Sequence, residues 1–479
     1  MIGKKINSNI LAKVSLVLIL LLSFYLRIHN LGSLDFWGDE GLSVSIARQE
    51  SFSQFITKMF YTGQQPLYHL ILRIWISLFG SSEFVVRLPN IFIGLATIYT
   101  LYKFCSTFFD KNTGIICALL TGLSAFHLNF SQEARPYNLM CLLSILSFYY
   151  FLQITKEYSK PKMAYYVLSS TLLIYTHTQG IFILLAQNLY FFTLLILRDT
   201  TLKIKIKTWF LLMFLIVFLF SPWIYFLTVQ LIHCKSSHLG WLEEPSLFQF
   251  YITFKNYFCG SETLFAILAI SLLISLIKLK DTKLKYSILL WLLIPVIIPY
   301  IVSKLLFPIF HYRYELIATV PFYILTSYGI NSMNKYFKIP IIIAISFLLF
   351  CNINKFYTTH RDYLYRTFQW KESVKYIEQY AYKSDLILVY PYFSLYNNIN
   401  LYSKRKDLIK IGLNVPFSEK EVKKLRTNKK RIWIFNISRD LNSSSLNKLF
   451  SKNYELTIHK VFKGIDITLY NQRNPTQSY

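Results

Sequence analysis

The sequence predicts a polytopic α-helical membrane protein with a small α/β domain at its carboxyl-terminal end. Its 479 residues are 54% hydrophobic and 18% aromatic, and the mean hydropathy is +0.39. That is more apolar surface than a soluble chain of this length can bury. Two further observations predict the architecture. Apolar runs of membrane-spanning length recur as far as residue 353, and shorter apolar runs alternate with polar stretches beyond it.

The apolar runs predict about eleven transmembrane helices separated by polar breaks. The first run follows a basic start like that of a signal peptide. It is nearly long enough to span, and no small-residue cleavage site follows it, so we expect a retained helix. The predicted spans lie near residues 9–28, 85–103, 113–130, 136–155, 163–178, 180–197, 208–229, 262–279, 286–303, 314–330 and 339–353.

The basic residues predict the orientation of these helices. The chain has 51 Lys and Arg against 24 Asp and Glu, a formal charge of +27. Such a charge is also typical of nucleic-acid binding, but in membrane proteins Lys and Arg concentrate in cytoplasmic loops and beside anionic headgroups. With a cytoplasmic amino terminus, every predicted inner loop contains basic residues. We therefore expect a multi-pass protein of the cell membrane that contacts membrane lipids and no nucleic acid.

An odd number of spans places two larger segments on the outer face. The first loop, about residues 29–84, contains QQPLYHLILRIWISLFG, whose apolar positions predict a helix in the membrane interface. In the tail, FQWKESVKYIEQYA predicts an amphipathic helix, and DLILVY, RIWIFNI and DITLY predict buried strands. The predicted domains are therefore a transmembrane domain, 1–353, and a soluble extracytoplasmic α/β domain, 354–479. The basic tail is compatible with binding to anionic headgroups and with ordinary solvation.

The six cysteines show no spacing typical of a metal site. Four of them lie in or beside apolar runs and are interpreted as small core residues. The other two, Cys234 and Cys259, lie in one predicted outer loop, where a disulfide and two free thiols are both compatible with the spacing. The four are Cys105, Cys117, Cys141 and Cys351.

Ionisable residues collect on the predicted outer face, where they are costly unless they face water or have a function. Carboxylates, histidines and arginines that converge beneath an outer loop would suit transfer of a group from a lipid-borne anionic donor. The candidates are Asp39 and Glu40 in the first loop, Glu133 and Arg135 in SQEARPY, His177 and Gln179 in THTQG, and His311, Arg313 and Glu315 in FHYRYEL.

These candidates also have interpretations in which they take no part in catalysis or ligand binding. Asp39 fits a solvated turn, since Gly and Asp are common in turns. Glu133 and Arg135 fit a local ion pair at helix ends. His177 fits an interfacial histidine, and Arg313 fits a side chain that extends to the headgroups. Their coincidence on one predicted face favours a shared site.

Four successive stretches resemble a known family of membrane enzymes. The likeness is close over about residues 30–195 and weaker as far as residue 353. It points to bacterial membrane glycosyltransferases of the GT-C superfamily, related to dolichyl-phosphate-mannose protein mannosyltransferases and to the aminoarabinose transferases that modify lipid A. The stretches are LDFWGDEGLSVSIARQ, QQPLYHLILRIWISLFGSSEFVVRLPNIFIGLATIYTLY, LNFSQEARPYNLMCLLSILSFYYFL and YTHTQGIFILLAQN.

The resemblance implies a GT-C fold, a polyprenyl-phosphate-linked sugar as donor, and transfer at the outer face with inversion at the sugar carbon. It makes Asp39 the general base that receives the proton of the acceptor. Glu40 and Glu133 would position the acceptor or organise a metal. Arg135 and Arg313, with His311 as a weaker candidate, would contact the donor phosphate, and His177 is a further candidate.

The sequence departs from the family at one point. Many relatives have His-Pro-Pro-Leu after the first outer loop, where this chain has Gln64, Gln65, Pro66 and Leu67. The lost imidazole removes an obvious ligand, so a divalent metal cofactor stays unassigned, with Glu40, Glu133 and His177 as remaining candidate ligands.

Three functions remain open at this point. A glycosyltransferase acting on a lipid, glycan, polymer or protein of the cell envelope fits the resemblance. A transporter or flippase of lipid-linked saccharides is the first alternative, although no internal repeat typical of transporters is evident. The second alternative is a non-catalytic envelope assembly protein that binds a partner through its tail.

Overall fold

The computed structural model describes residues 2–234, 244–255, 260–360, 367–390, 395–413, 429–437, 450 and 454–473. The chain forms two compact units. Unit 1 comprises residues 1–31, 50–79 and 87–357, and unit 2 comprises residues 32–49, 80–86 and 358–479. Segments 32–49 and 80–86 thus belong to the same unit as the tail.

All regular structure among the described residues up to 355 is helical. A helix occurs at each predicted span, and the predicted interfacial helix is present as α4, Pro66–Phe79. The helices are α1 (Ile2–Ile28), α2 (Gly38–Ala47), α3 (Phe52–Thr62), α4, α5 (Glu83–Phe108), α6 (Lys111–Leu123), α7 (Ala125–Ser131), α8 (Tyr137–Lys156), α9 (Lys160–Thr176), α10 (Gly180–Ile196), α11 (Ile206–Cys234), α12 (Leu247–Ile252), α13 (Glu262–Lys278), α14 (Thr282–Leu305), α15 (Leu316–Asn331) and α16 (Lys335–Lys355).

Among the described residues, six helices are long and apolar enough to cross a membrane, namely α1, α5, α8, α11, α14 and α16. The pair α6 and α7 forms a seventh candidate, bent by 62°. Helices α9, α10 and α13 have 17 residues each and α15 has 16, whereas a span of the bilayer core takes roughly 20 residues. The expectation of a polytopic helical membrane protein is confirmed, and the count of eleven spans stays a prediction.

A buried arginine connects the first helix to the bend between α6 and α7. Arg27 is 1% exposed, and its Nε donates to Ser131 Oγ at 3.0 Å. Its Nη1 donates to the carbonyl oxygens of Gly122 at 2.9 Å and Ser23 at 3.2 Å. Nη2 donates to the Thr121 carbonyl at 3.4 Å. These bonds give partners to four of the five N–H donors of a guanidinium that is removed from water. Arg27 therefore ties the end of α1 to both sides of the bend at Ser124.

The tail of unit 2 contains a mixed five-stranded sheet with the order β2-β1-β3-β5-β4. Strand β1 pairs in parallel with β2 and β3, whereas β5 pairs antiparallel with β3 and β4. The register places Leu388 beside Ile434 and Ile434 beside Thr468. The strands are β1 (Leu386–Tyr390), β2 (Ile409–Gly412), β3 (Arg431–Asn436), β4 (Tyr454–Phe462) and β5 (Ile465–Gln472).

Both faces of the central strands are buried, as their continuous apolar runs predict. Helix α17, Trp370–Tyr380, covers one face with Trp370, Val374 and Ile377. On the other face, Phe450 packs with side chains of β1, β3 and β5. The predicted amphipathic helix and the strands DLILVY, RIWIFNI and DITLY are present in the α/β tail. Between β1 and β2 lie a π-helical segment, Leu395–Ile399, and the helical turn Asn400–Tyr402.

The cysteines differ in one respect from expectation. Cys105, Cys117 and Cys141 are free and buried, as predicted. Cys351 is also free, but it lies on the exposed side of α16 and is not a core residue. The predicted pair Cys234 and Cys259 lies outside the residues whose side chains the structure describes.

Close packing of α13 against α15 generates a stability prediction. A Cβ at Gly329 would lie 1.8 Å from the carbonyl oxygen of Ser271. We expect Gly329→Ala to lower the free energy of unfolding by about 1–3 kcal/mol, because neither backbone can move aside locally. Thermal unfolding in detergent measures this effect. Ala266→Val, which adds atoms at an exposed position of α13, is the matched control, and equal midpoints for the two variants would contradict the prediction.

Candidate active site

The adjacent acids Asp39 and Glu40 lie in the first turn of a helix, not in an open turn. Helix α2 begins at Gly38, so both carboxylates lie at its positive end, where negative charge is favoured. Asp39 is partly exposed, whereas Glu40 is 1% exposed. Glu40 Oε2 accepts from the backbone N–H of Trp37 at 3.4 Å. The two acids therefore differ in access: Asp39 can meet a ligand, and Glu40 supports the start of the helix.

Helix α2 approaches the tail closely within unit 2. A Cβ at Gly41 would lie 2.1 Å from the carbonyl oxygen of Asn397, which belongs to the segment after β1. No larger residue fits there without moving one backbone. The second glycine of GDEG thus permits contact between α2 and the tail.

A buried asparagine fixes the turn that carries Glu133 and Arg135. The Nδ2 group of Asn90, in α5, donates to the carbonyl oxygens of Glu133 and, at 2.8 Å, of Arg135. The backbone N–H of Arg135 donates to the Glu133 carbonyl at 2.9 Å. Glu133 and Arg135 are 2% and 7% exposed, so this turn is buried and not a solvated surface feature. The sequence signal for Asn90 was an amide within the apolar run RLPNIFIG.

Arg135 and His177 meet in one aromatic cluster in unit 1. The Arg135 guanidinium carbon lies 5.7 Å from the centroid of the Tyr137 ring, within range of a cation–π contact. The His177 ring lies 4.9 Å from that of Tyr314 and 6.0 Å from that of Tyr137, centroid to centroid. Sequence reasoning identified Arg135 and His177 and missed both tyrosines.

The segment FHYRYEL joins this cluster through His311. Its ring centroid lies 5.6 Å from that of Tyr314. Arg313 is partly exposed, and its Nε donates to the hydroxyl oxygen of Tyr312 at 3.3 Å. The structure therefore brings together the predicted segments 135–137, 177 and 311–314.

The two histidines of this cluster are hydrogen-bond donors through Nε2. Backbone N–H groups donate to the Nδ1 atoms of His177, from Gln179 at 3.2 Å, and of His311, from Arg313 at 3.4 Å. An Nδ1 that accepts carries no proton, so Nε2 does. Burial lowers the pKa of His311 to about 3, and the positive charge of Arg313 acts in the same direction. His311 is therefore a neutral donor at physiological pH, not a cation.

Glu315 directly precedes α15 and is completely buried. Neither carboxylate oxygen has a hydrogen-bond partner among the described residues.

The predicted site residues are divided between the two units. Asp39 and Glu40 belong to unit 2, and the others belong to unit 1, namely Glu133, Arg135, His177, His311 and Arg313.

Metal ligands do not form a recognisable set in the described part of the chain. No group of three or more His, Cys, Asp or Glu side chains lies there in an arrangement that could hold a metal ion. The roles of Glu40, Glu133 and His177 as ligands stay predictions, and the cofactor stays unassigned.

One family model matches the sequence over residues 64–226, that of the dolichyl-phosphate-mannose-protein mannosyltransferases. This match includes the turn with Glu133 and Arg135 and the segment with His177. No curated protein sequence matches the chain.

Solved structures match over nearly the whole chain. ArnT from Cupriavidus metallidurans superposes with a TM-score of 0.67 at 12% identity, covering 96% of this chain and 98% of ArnT. ArnT bound to undecaprenyl phosphate gives a TM-score of 0.65 at 12% identity, with 95% and 97% covered.

An archaeal oligosaccharyltransferase is also similar. AglB from Archaeoglobus fulgidus, in complex with an inhibitory peptide and a dolichol-phosphate, gives a TM-score of 0.58 at 11% identity and covers 98% of this chain and 75% of its own. The family match over residues 64–226 and these superpositions agree with the resemblance found in the sequence: the chain has the fold of ArnT and AglB, which is the GT-C fold expected above.

Proposed function

We propose that the protein is a glycosyltransferase that moves a sugar from a polyprenyl-phosphate-linked donor to a lipid, polymer or protein of the cell envelope. One observation carries this proposal: 95% of the chain shares the fold of a protein whose structure contains undecaprenyl phosphate. The partly exposed Asp39 and the cluster around Arg135 supply groups of the kind that such a transfer requires.

Asp39 is the proposed general base. Its carboxylate would accept the proton of the acceptor's hydroxyl or amine while the acceptor oxygen or nitrogen forms a bond to the anomeric carbon of the sugar. The bond between this carbon and the phosphate oxygen would break, and its electron pair would leave with the polyprenyl phosphate. A single displacement of this kind inverts the anomeric carbon.

Arg135 and Arg313 are the proposed contacts of the donor phosphate, whose negative charge grows as the bond breaks. A guanidinium matches phosphate oxygens with two parallel N–H donors. Neutral His311 and His177 would add single Nε2–H bonds. Glu40, which is buried and bonded to Trp37, would support the base, and Glu133 would position the acceptor.

The proposed membrane topology is the one expected from the sequence. Eleven spans, an amino terminus in the cytoplasm and an extracytoplasmic tail agree with the basic residues of the predicted inner loops. We place the protein in the cell membrane on this basis, with transfer at its outer face.

We expect Asp39→Asn to reduce transfer by about 10²–10⁴-fold, since the amide cannot take the proton. The assay follows labelled undecaprenyl-phosphate sugars and the lipid and polymer fractions of the envelope as acceptors. Asp466→Asn, a partly exposed aspartate of the tail sheet, is the matched control. Undiminished transfer by Asp39→Asn would remove Asp39 from this role. Movement of the lipid-linked saccharide across vesicles without transfer would favour the transporter alternative.

Replacing the buried arginine should weaken use of the donor. Arg135→Gln removes a charged hydrogen-bond donor, which we expect to lower kcat/KM for the donor by about 10- to 100-fold. Arg198→Gln, at an exposed position between α10 and α11, is the control and should retain donor use. A change confined to the acceptor KM would contradict a phosphate contact by Arg135.

The low pKa of His311 predicts a pH effect on stability. Below a pH of about 6.5 the unfolded chain binds a proton at His311 that the folded protein, with a pKa of about 3, does not bind. The free energy of unfolding therefore falls as the pH decreases through this range. We expect the thermal midpoint of His311→Gln to decrease less than that of the wild type between pH values of about 7 and 5. His459→Gln, exposed on β4, should behave as the wild type, and parallel losses in all three proteins would refute the prediction.

A further inference from the structure

A polar cluster in unit 2 joins three distant parts of the chain. We call it the latch, and it consists of Asp35, Glu83, Lys371 and Tyr402. Lys371 Nζ lies 2.8 Å from a carboxylate oxygen of Glu83 and 3.8 Å from one of Asp35. The backbone N–H of Lys371 donates to Asp35 Oδ2 at 2.9 Å, and the Tyr402 hydroxyl donates to Glu83 Oε1 at 2.9 Å.

The carboxylates of the latch are less exposed to solvent than those of an ordinary surface ion pair. The side chains of Glu83 and Asp35 are 9% and 16% exposed, whereas that of Lys371 is 51% exposed. Solvent screens such charges less than it screens exposed ones. Burial raises the pKa of Asp35, and the hydrogen bond and charge of Lys371 oppose that rise. Lys371 is thus the cation that both carboxylates share.

The latch is connected by a hydrogen bond to Phe36, two residues before helix α2 begins. The backbone N–H of Phe36 donates to the Tyr402 hydroxyl at 2.7 Å, and its carbonyl accepts from Asn398 Nδ2 at 2.7 Å. The rings of Phe36 and Tyr402 stack with centroids 6.3 Å apart. Phe36 lies three residues before Asp39, and both of its backbone polar groups are therefore held by side chains of the tail.

A second contact fixes α2 one turn further along. The close approach of Gly41 to the Asn397 carbonyl leaves no room for α2 to shift toward the tail. A Cβ at Gly38, in contrast, would meet no atom within 4 Å. Asp39 thus lies between two points, Phe36 and Gly41, that both contact the same segment of the tail.

We propose that the tail positions the carboxylate of Asp39 through the latch, with Lys371 and Tyr402 as positioning residues. The proposal rests on the role of Asp39 proposed above. It gives the tail a part in the transfer reaction beyond solvation or headgroup binding. A base must be held within hydrogen-bond reach of its proton, and a displacement of about 1 Å can cost 10²-fold in rate.

Steady-state kinetics test the proposal. We expect Lys371→Met and Tyr402→Phe each to lower kcat by about tenfold with an unchanged KM for the donor, because Asp39 is displaced and the donor contacts in unit 1 remain. Lys371→Arg, which keeps the charge, should restore most of the rate. Lys375→Met, exposed one turn along the same helix, and Tyr380→Phe are matched controls with wild-type kcat. An unchanged kcat in both latch variants would overturn the proposal.

Hydrogen exchange of the full-length protein tests the latch without reference to transfer. Lys371→Met, Tyr402→Phe and Gly41→Ala should increase amide exchange in residues 36–47 by about tenfold or more and leave β1 and β3 unchanged. Gly38→Ala is the matched control for Gly41→Ala and should not change this exchange. Wild-type exchange in all three variants would overturn the proposal, and increased exchange in β1 or β3 would reveal a general loss of the tail fold instead.

The two experiments separate failure of the latch from failure of the proposed function. If Asp39→Asn retains full transfer, the assignment of the base fails. Exchange in residues 36–47 still decides whether the latch holds α2. If Asp39→Asn is inactive and the latch variants exchange and react as the wild type does, only the latch is wrong.

Discussion

The hydrogen bonds of the buried Arg27 guanidinium are the constraint on which the turn with Glu133 and Arg135 depends. A charge removed from water requires hydrogen-bond partners, and those that connect Arg27 to other helices are the Gly122 carbonyl and the Ser131 hydroxyl, on either side of the bend between α6 and α7. Helix α7, which follows this bend, leads into the turn with Glu133 and Arg135. Gln132 continues the connection, since its Nε2 donates to the carbonyl oxygens of Arg27 and His29, both at 2.8 Å. The position of Arg135 is therefore set from α1 as well as from Asn90 in α5.

Local periodicity predicted the helices and the buried strands, because both depend on residues near in sequence. Strands β1, β3 and β5 are apolar and were predicted, whereas β2 and β4 were not. These two are the edge strands of the sheet, and much of their surface is exposed. Their sequences IKIG and YELTIHKVF therefore lack the continuous apolar run of a strand that is buried on both faces. Edge strands are defined by the partner they lack on one side, which the sequence of the strand does not encode.

The ionisable residues of the candidate site could be predicted from the sequence, whereas the residues that contact and position them could not. A charge in an apolar chain is conspicuous, so Asp39, Arg135 and His177 could be found by their type. Asn90, Tyr137 and Tyr314 act through contacts between distant segments, which composition does not show. The surroundings of Asp39 and Glu40 also escaped prediction. Which of two adjacent helical acids is buried depends on the face that the helix presents to other parts of the chain. Helix α2 presents Gly41 to Asn397, a residue some 360 positions later, and the sequence near Asp39 does not encode that contact.

The closeness of Gly41 to the Asn397 carbonyl also affects how sequence variation in related chains should be interpreted. A glycine preserved beside a pair of acids is usually attributed to the chemistry of the acids or to a flexible turn. Here it stands within a helix and provides clearance for a second backbone. Every residue at position 397 has this carbonyl, so position 41 should be glycine wherever the segment after β1 keeps its path, and a chain with a larger residue at 41 would need a rebuilt segment there. Selection on this motif then reflects the fit of two distant segments as much as the reactivity of a carboxylate.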